Sequence, residues 1–244
     1  MIRIRLTGIL SLLLLFSLVS LNAQTLDEIL QKNYKARGGY DRIKSKKTIW
    51  MSSKMMMGGM ELPMVMMSKR PFIMRSEVSL QGQKIISVFD GTSGWMINPM
   101  MGSTDPVDLP SEQLKNVREQ ADVDGLLIDW KEKGSRVELV GKEDVEGADA
   151  YHIRITTKDT TVRHIYLDAE TFLDIQQKGS YPAQGKEIEV TTSLGGYREV
   201  DGLMIPFSME GKVEGKTFQQ VLVDSVKFDV PFADSLFARP AVKK

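Results

Sequence analysis

The chain has 244 residues, 32 basic and 32 acidic side chains for a formal net charge of zero, and no cysteine. The two signs are interspersed without a basic patch, which argues against a nucleic-acid partner. The lack of cysteine excludes both disulfides and a lipid anchor carried on a cysteine thiol. The length suits one large β domain or two small ones, with room for a sizeable core.

Arg3 and Arg5 precede an apolar run from Ile9 to Leu21, and Leu21-Asn22-Ala23 ahead of Gln24 has the form of a signal-peptidase site. The run is too short and too close to the N-terminus for a membrane span. Residues 1–23 are therefore expected to be a signal peptide, not a retained anchor. Residues 24–244 would then be a soluble periplasmic domain, slightly acidic once the two arginines are gone.

Thr25-Leu-Asp-Glu28 fits a capping box, Leu26, Ile29, Leu30 and Tyr34 form an apolar helical stripe, and Gly38-Gly39 stops it. The period then changes to two. Strands are predicted over 48–57, 60–69, 72–80 and 84–90, with a short fifth over 95–98, separated by Gly-Gly, Arg-Pro and Gln-Gly turn signals.

Twelve of the fifteen methionines fall between Met51 and Met101. At the strand period, Met51, Met55 and Met57 share a face with Ile49, while Met60, Met64 and Met66 share a face with Leu62. Methionine is unbranched and polarizable, so a wall built from it can repack around flexible apolar ligands. The expected wall comprises Met51, Met55, Met57, Met60, Leu62, Met64, Met66, Phe72 and Met74, with Trp95 and Met96 near its edge. The alternative is an ordinary core that uses methionine as filler. Which face points inward is open, because a slip of one residue exchanges the two.

Between Pro99 and Gly134 the strand pattern is interrupted. Ser111 opens a helical stretch with Leu114, Val117 and Ala121 on one face, and a second short helix is expected to carry Leu126, Leu127 and Trp130. An amphipathic insert must bury its apolar face, and the concave side of a curved sheet is the available surface. Leu114, Val117, Leu126, Leu127 and Trp130 are thus the expected lid.

Strands resume over 136–141, 151–157, 162–168, 173–178, 186–194, 203–210 and 217–228, several with clean alternation. The whole reads as mainly β with helices: one curved antiparallel sheet, a half-barrel of about eleven strands, with helices over its concave face. No linker divides it, so residues 24–244 are expected to be one domain with a lid insert over about 99–134.

Five phrases in order resemble the periplasmic lipoprotein carriers, the outer-membrane lipoprotein-sorting family (LolA/LolB-like) and related bacterial lipid-binding carriers. They are Lys69-Arg-Pro-Phe72 with Arg75, Phe89-Asp-Gly-Thr-Ser-Gly-Trp95, Leu139-Val-Gly-Lys142, Ile165-Tyr-Leu-Asp-Ala-Glu-Thr-Phe172 and Tyr197-Arg-Glu-Val-Asp-Gly-Leu-Met-Ile-Pro206. The resemblance implies a monomeric, non-enzymatic carrier without a cofactor. Its apolar cavity would take the acyl chains of a lipoprotein, or another amphiphilic lipid, from an inner-membrane transporter to an outer-membrane acceptor. It also implies that Arg70 holds the lid closed through hydrogen bonds to main-chain groups, here carbonyls of the 99–134 insert. Arg75 is the alternative if the register slips. The methionine density exceeds what the resemblance requires, which leaves the cargo open.

Other chemistry finds little support. His152 and His164 could meet on one hairpin face, but two imidazoles do not complete a zinc site, and they read as surface histidines. Ser93 lacks a nucleophile-elbow spacing and reads as a turn residue. Thioethers suit Cu(I), yet the methionine stretch has no histidine or cysteine to complete a copper site. An envelope assembly or scaffold protein remains the main alternative, and it predicts an exposed apolar patch without a deep cavity.

Overall fold

The computed structural model describes residues 24–241 apart from 103, 184 and 185, so the expected signal peptide lies outside the described residues. The capping box forms at Thr25 and starts α1 (Leu26–Ala36), which buries Ile29, Leu30 and Tyr34. The chain turns out of α1 at Gly38, where a β-carbon would lie 2.1 Å from the Gly202 carbonyl oxygen, so only glycine fits. A helix absent from the sequence expectation, α2 (Tyr40–Ser45), follows directly.

The first half of the sheet is a meander of β1 (Thr48–Met57), β2 (Met60–Lys69), β3 (Ile73–Leu80), β4 (Gln83–Phe89) and β5 (Gly94–Ile97), edged by the two-residue β6 (Val107–Asp108). β1 and β2 have the predicted bounds. After α3 (Ser111–Gln120), a second meander runs through β7 (Arg136–Val145), β8 (Ala148–Thr156), β9 (Val162–Asp168), β10 (Asp174–Ala183) and β11 (Lys186–Gly195). A small separate ribbon, β12 (Arg198–Val200) with β13 (Leu203–Ile205), precedes β14 (Ser208–Val213) and β15 (Lys216–Phe228). The last strand returns to the middle of the sheet beside β1.

The result is one curved antiparallel sheet of thirteen strands in the order β6-β5-β4-β3-β2-β1-β15-β14-β11-β10-β9-β8-β7, with β6 and β7 as free ends. It is a half-barrel, as expected. Two local expectations fail for backbone reasons. No second helix carries Leu126, Leu127 and Trp130: residues 122–134 are a chain of turns, with Gly125, Asp129 and Gly134 at positive φ, which a helix cannot accommodate. The strand expected over 203–210 divides at Pro206, which cannot donate to a ladder, and Phe207 N–H instead bonds the Gly195 carbonyl.

Helices and turns cover the concave face unevenly. Over β7–β9, Ile153, Ile155 and Leu167 are wholly buried against Ile29, Leu30 and Leu127. Each such side chain contributes about 1.5–3 kcal/mol by leaving water. Over β3–β5, α3 and the residue after it set Leu114, Val117 and Ala121 on Met74 and Phe89, and Leu109 packs beside Leu114 over Gly94. α3 is also tied to the far half of the sheet, where Glu119 pairs with the buried Arg163 guanidinium at 2.9 Å. On the opposite, convex face, Met67, Val88 and Trp95 pack beneath Phe237, with Phe232 and Leu236 beside it.

Candidate functional site

The register of β1 and β2 settles the direction of the methionines. Met51 pairs with Met66, Ser53 with Met64, Met55 with Leu62, and Met57 with Met60. Because side chains directly opposite each other share a face, these residues form two parallel rows. β3 extends them by placing Val78 beside Met64 and Met74 beside Ser68. On the other side, β15 sets Val226 against Met51 and Val221 against Met55. Met74 and Met66 belong to the cluster under α3, which fixes all of these rows on the concave face.

The rows are graded along the strands. Met74 is buried under α3, and Met66 and Phe72 are partly buried in the same cluster. Met51 packs beside Val226, and Met209 joins it to a second cluster made of Met55, Leu62 and Val221 with Met64, Val78 and Leu80. That second cluster contains sheet residues alone, with no helical member. At the hairpin tip Met57 and Met60 reach 37% and 48% exposure. The trough thus runs from a roofed end at α3 to an open end at Gly58-Gly59, roughly 25 Å along the strands.

Four expected site residues lie elsewhere. Trp95 pairs with Val88 in the convex cluster and is 2% exposed, so it does not edge the trough. Its neighbour Met96 is on the concave side, opposite Ser87, because successive strand residues alternate. Leu126, Leu127 and Trp130 do not roof the methionines. They belong to the core formed by α1 and β7–β9. Of the expected apolar lid, Leu114 and Val117 alone lie against the methionine face.

Arg70 is held, but by partners other than those expected. Its Nη1 and Nη2 donate to Asp124 Oδ2 at 2.7 Å and Oδ1 at 2.5 Å, a bidentate pair to the turn segment that follows α3. Nη2 also donates to the Ile43 carbonyl and Nε to the Lys46 carbonyl, so the main-chain partners come from α2 and its cap and not from the insert. Asp124 also accepts from Lys44 Nζ at 2.8 Å, and its carbonyl accepts from Arg37 at 3.2 Å. Burial would raise the Asp124 carboxyl, yet the hydrogen bonds from Arg70 and Lys44 outweigh it and hold the group below its ordinary range. Four segments therefore meet at one aspartate: α2 and the β2–β3 turn at its carboxylate, the end of α1 at its main-chain carbonyl, and the lid insert that carries it. Arg75 has no part in this. It lies on the convex side, bonded to Glu77 and the Leu236 carbonyl.

Asp124, Lys44 and Arg37 were not foreseen as site residues, since nothing in a lone aspartate within a turn-rich stretch signals an arginine more than fifty positions away. Met209 was also missed, because it stands outside the methionine-dense segment.

Beneath α2 lies a partly open cavity of about 50 Å³ between Ile43, Ile49, Leu203, Ile205 and Phe228, with Arg37 and Lys46 on its wall. Its apolar wall adjoins the trough: Ile49, Ile205 and Phe228 pack in the same cluster as Met51. Elsewhere, His152 and His164 do meet, Nε2 to Nδ1 at 2.7 Å, with Glu143 on the other His152 nitrogen at 2.5 Å. Among the described residues no group of three or more histidines, cysteines or carboxylates is placed to hold a metal ion. Ser93 caps the Asp90 turn, its hydroxyl bonded to Asp90 Oδ2 at 2.8 Å.

The chain is thus an open antiparallel half-barrel, helix-covered on its concave face, with a segment latched across it by Arg70 after the second strand. The chain has the fold of the LolA superfamily. It is similar to a LolA superfamily protein from Nitrosomonas europaea, with a TM-score of 0.60 at 14% identity, covering 88% of this chain and 98% of that one. A DUF1329 family protein from Desulfovibrio piger gives a TM-score of 0.59 at 14% identity, over 87% and 96% of the two chains. A putative outer membrane lipoprotein-sorting protein domain from Vibrio parahaemolyticus gives 0.56 at 10% identity, over 86% and 94%. No protein-family model matches the sequence, and no curated protein matches it. At these identities the likeness is one of fold. No helix among the described residues is long and apolar enough to cross a membrane.

Proposed function

We propose that this protein is a periplasmic lipid carrier that shields the acyl chains of a lipoprotein or another amphiphilic lipid in its methionine trough and ferries it toward the outer membrane. An inner-membrane transporter would be the donor and an outer-membrane protein the acceptor, with the carrier itself acting as a monomer and without chemical turnover. The observation that carries this reading is the pair of methionine rows on the concave face, graded from roofed to open beneath a segment held by Arg70 and Asp124. An acyl chain left in water costs roughly 0.8 kcal/mol per methylene, so a carrier must supply apolar surface that yields to the chain and later releases it. Thioether side chains repack at low cost, and a salt-bridged latch can open without unfolding the core beneath it.

One observation favours the scaffold reading: the trough is filled by its own side chains, and the cavity beside it measures about 50 Å³. Native mass spectrometry of the protein purified from its own envelope separates the two. A co-purifying acylated molecule near one-to-one identifies a carrier and its cargo. Lipid-free protein that also fails to take up a fluorescent fatty acid sinks the carrier reading and leaves an envelope scaffold with a methionine-rich core.

A further inference from the structure

The cavity beneath α2 joins an apolar floor to a cationic wall. Its floor is apolar and adjoins the trough, because Ile49, Phe228 and Ile205 pack in the same cluster as Met51. Its wall carries two cations, Arg37 and Lys46. These two are the loosely held members of a well-paired neighbourhood. Arg70 and Lys44 bond carboxylates at 2.5–2.8 Å, as charge-assisted pairs do. Lys46 reaches Asp201 and Asp229 only at 3.5 and 3.6 Å, although its side chain is just 15% exposed. Its ammonium sits 5.2 Å from the centre of the Phe228 ring on the cavity floor. Among the described residues the Arg37 side chain makes one hydrogen bond, to the Asp124 carbonyl at 3.2 Å, and pairs with no carboxylate. A guanidinium presents five donors, so most of the Arg37 fork is uncommitted.

We propose that Arg37 and Lys46 form the head-group seat of the lipid site, and that the ligand is a single-chain amphiphile ending in a carboxylate. This rests on the carrier reading and narrows its substrate class. A planar carboxylate matches the guanidinium fork in two parallel hydrogen bonds, with the ammonium as a second point charge. The volume suits that small head, which takes the place of only a few water molecules. The chain leaves the seat over Ile49 and Phe228, passes Met51 and Met209, and follows the methionine rows toward Met57 and Met60. Asp124 offers no competition for Arg37, because its carboxylate oxygens are occupied by Arg70 and Lys44. A neutral lipid head would leave the free donors of Arg37 without an anionic partner.

The test compares dansyl-undecanoate with its methyl ester by fluorescence titration at pH 7.5, on the wild-type protein, Arg37→Gln and Lys46→Gln. The expected result is that the acid binds at least tenfold more tightly than the ester, with each substitution removing most of that preference while ester affinity holds. Lys46→Gln carries the test by itself if Arg37→Gln fails to fold, because the Lys46 partners are solvated aspartates. Equal binding of acid and ester by the wild type overturns the head-group seat and leaves the carrier standing. An acid preference that survives both substitutions also overturns it. Binding of neither probe overturns the carrier reading and this inference together.

Discussion

The two ends of one concave face are built from different side chains. Over β7–β9 the face is isoleucine, leucine and valine, with Ile153, Ile155 and Leu167 wholly buried beneath α1 and the turns around Leu127. Over β1–β3 it is methionine, with Met51, Met64 and Met66 only partly buried and Met57 and Met60 open to solvent. Branched side chains have few rotamers and lock a single packing. Methionine has three free torsions and accepts several. The same sheet therefore has a rigid half that holds the fold and a compliant half that can receive a guest.

Substitution at matched positions breaks or confirms that division. The largest effect is expected in the rigid half. Ile153→Ala removes a fully buried side chain between α1, the turns around Leu127 and the sheet. It should cost about 3–5 kcal/mol in urea or thermal unfolding. The equivalent change in the trough, Met64→Ala, leaves a site that solvent and neighbouring thioethers can fill, and should cost about 1 kcal/mol or less. Similar losses at both positions would show that the trough is packed as tightly as the core, and would remove the physical basis for calling it compliant.

The next effect falls on the joint between the halves. Asp124→Asn keeps the shape of the side chain but leaves Arg70 and Lys44 without their shared charge, and should cost about 2–4 kcal/mol. The pH dependence has a definite sign. The Asp124 pKa is lower in the folded state than in the unfolded chain, so its contribution is complete above the ordinary carboxylate range near 4 and is lost as pH falls through the depressed value. Wild-type stability attributable to this joint should therefore be flat from pH 7 to about 5 and decline below about 4. Asp124→Asn should lack that component. If the variant and the wild type lose stability in parallel on acidification, the joint does not depend on the carboxylate charge.

Much of this architecture was legible in the sequence, and the failures have physical causes. Strands over 48–57 and 60–69 were read with their observed bounds, because turn chemistry at Gly58-Gly59 and strict alternation agree. The methionine face followed from the same period. Trp95 was misassigned because a four-residue strand offers too few positions to orient a face, and the aromatic segment at Phe232–Phe237 that buries it is distant in sequence. The second lid helix failed because Leu126, Leu127 and Trp130 have helical spacing, while the positive φ of Gly125 and Asp129 is set by contacts the sequence does not display. Asp124 was invisible for a related reason. The value of a turn aspartate depends on three cations brought to it from α1, α2 and the β2–β3 turn.

The smallest expected effect on stability bears most directly on function. Met64 and Met66 flank one another on β2, facing Ser53 and Met51 across the ladder. Replacing both by leucine keeps volume and hydrophobicity, so unfolding should shift by less than about 1.5 kcal/mol, and lipid uptake should weaken only as far as branched side chains repack less freely. A copper site would behave in the opposite way, losing Cu(I) affinity outright once the thioether sulfurs are gone. Replacing the same two residues by lysine separates trough from core more sharply. Lysine stems can lie along the sheet and carry their charges to the open end beside Met57 and Met60, so the fold should survive while acyl-chain binding is abolished. Equal loss of folding and binding in the lysine variant would mean that Met64 and Met66 serve as core, and that any lipid is bound elsewhere on the molecule.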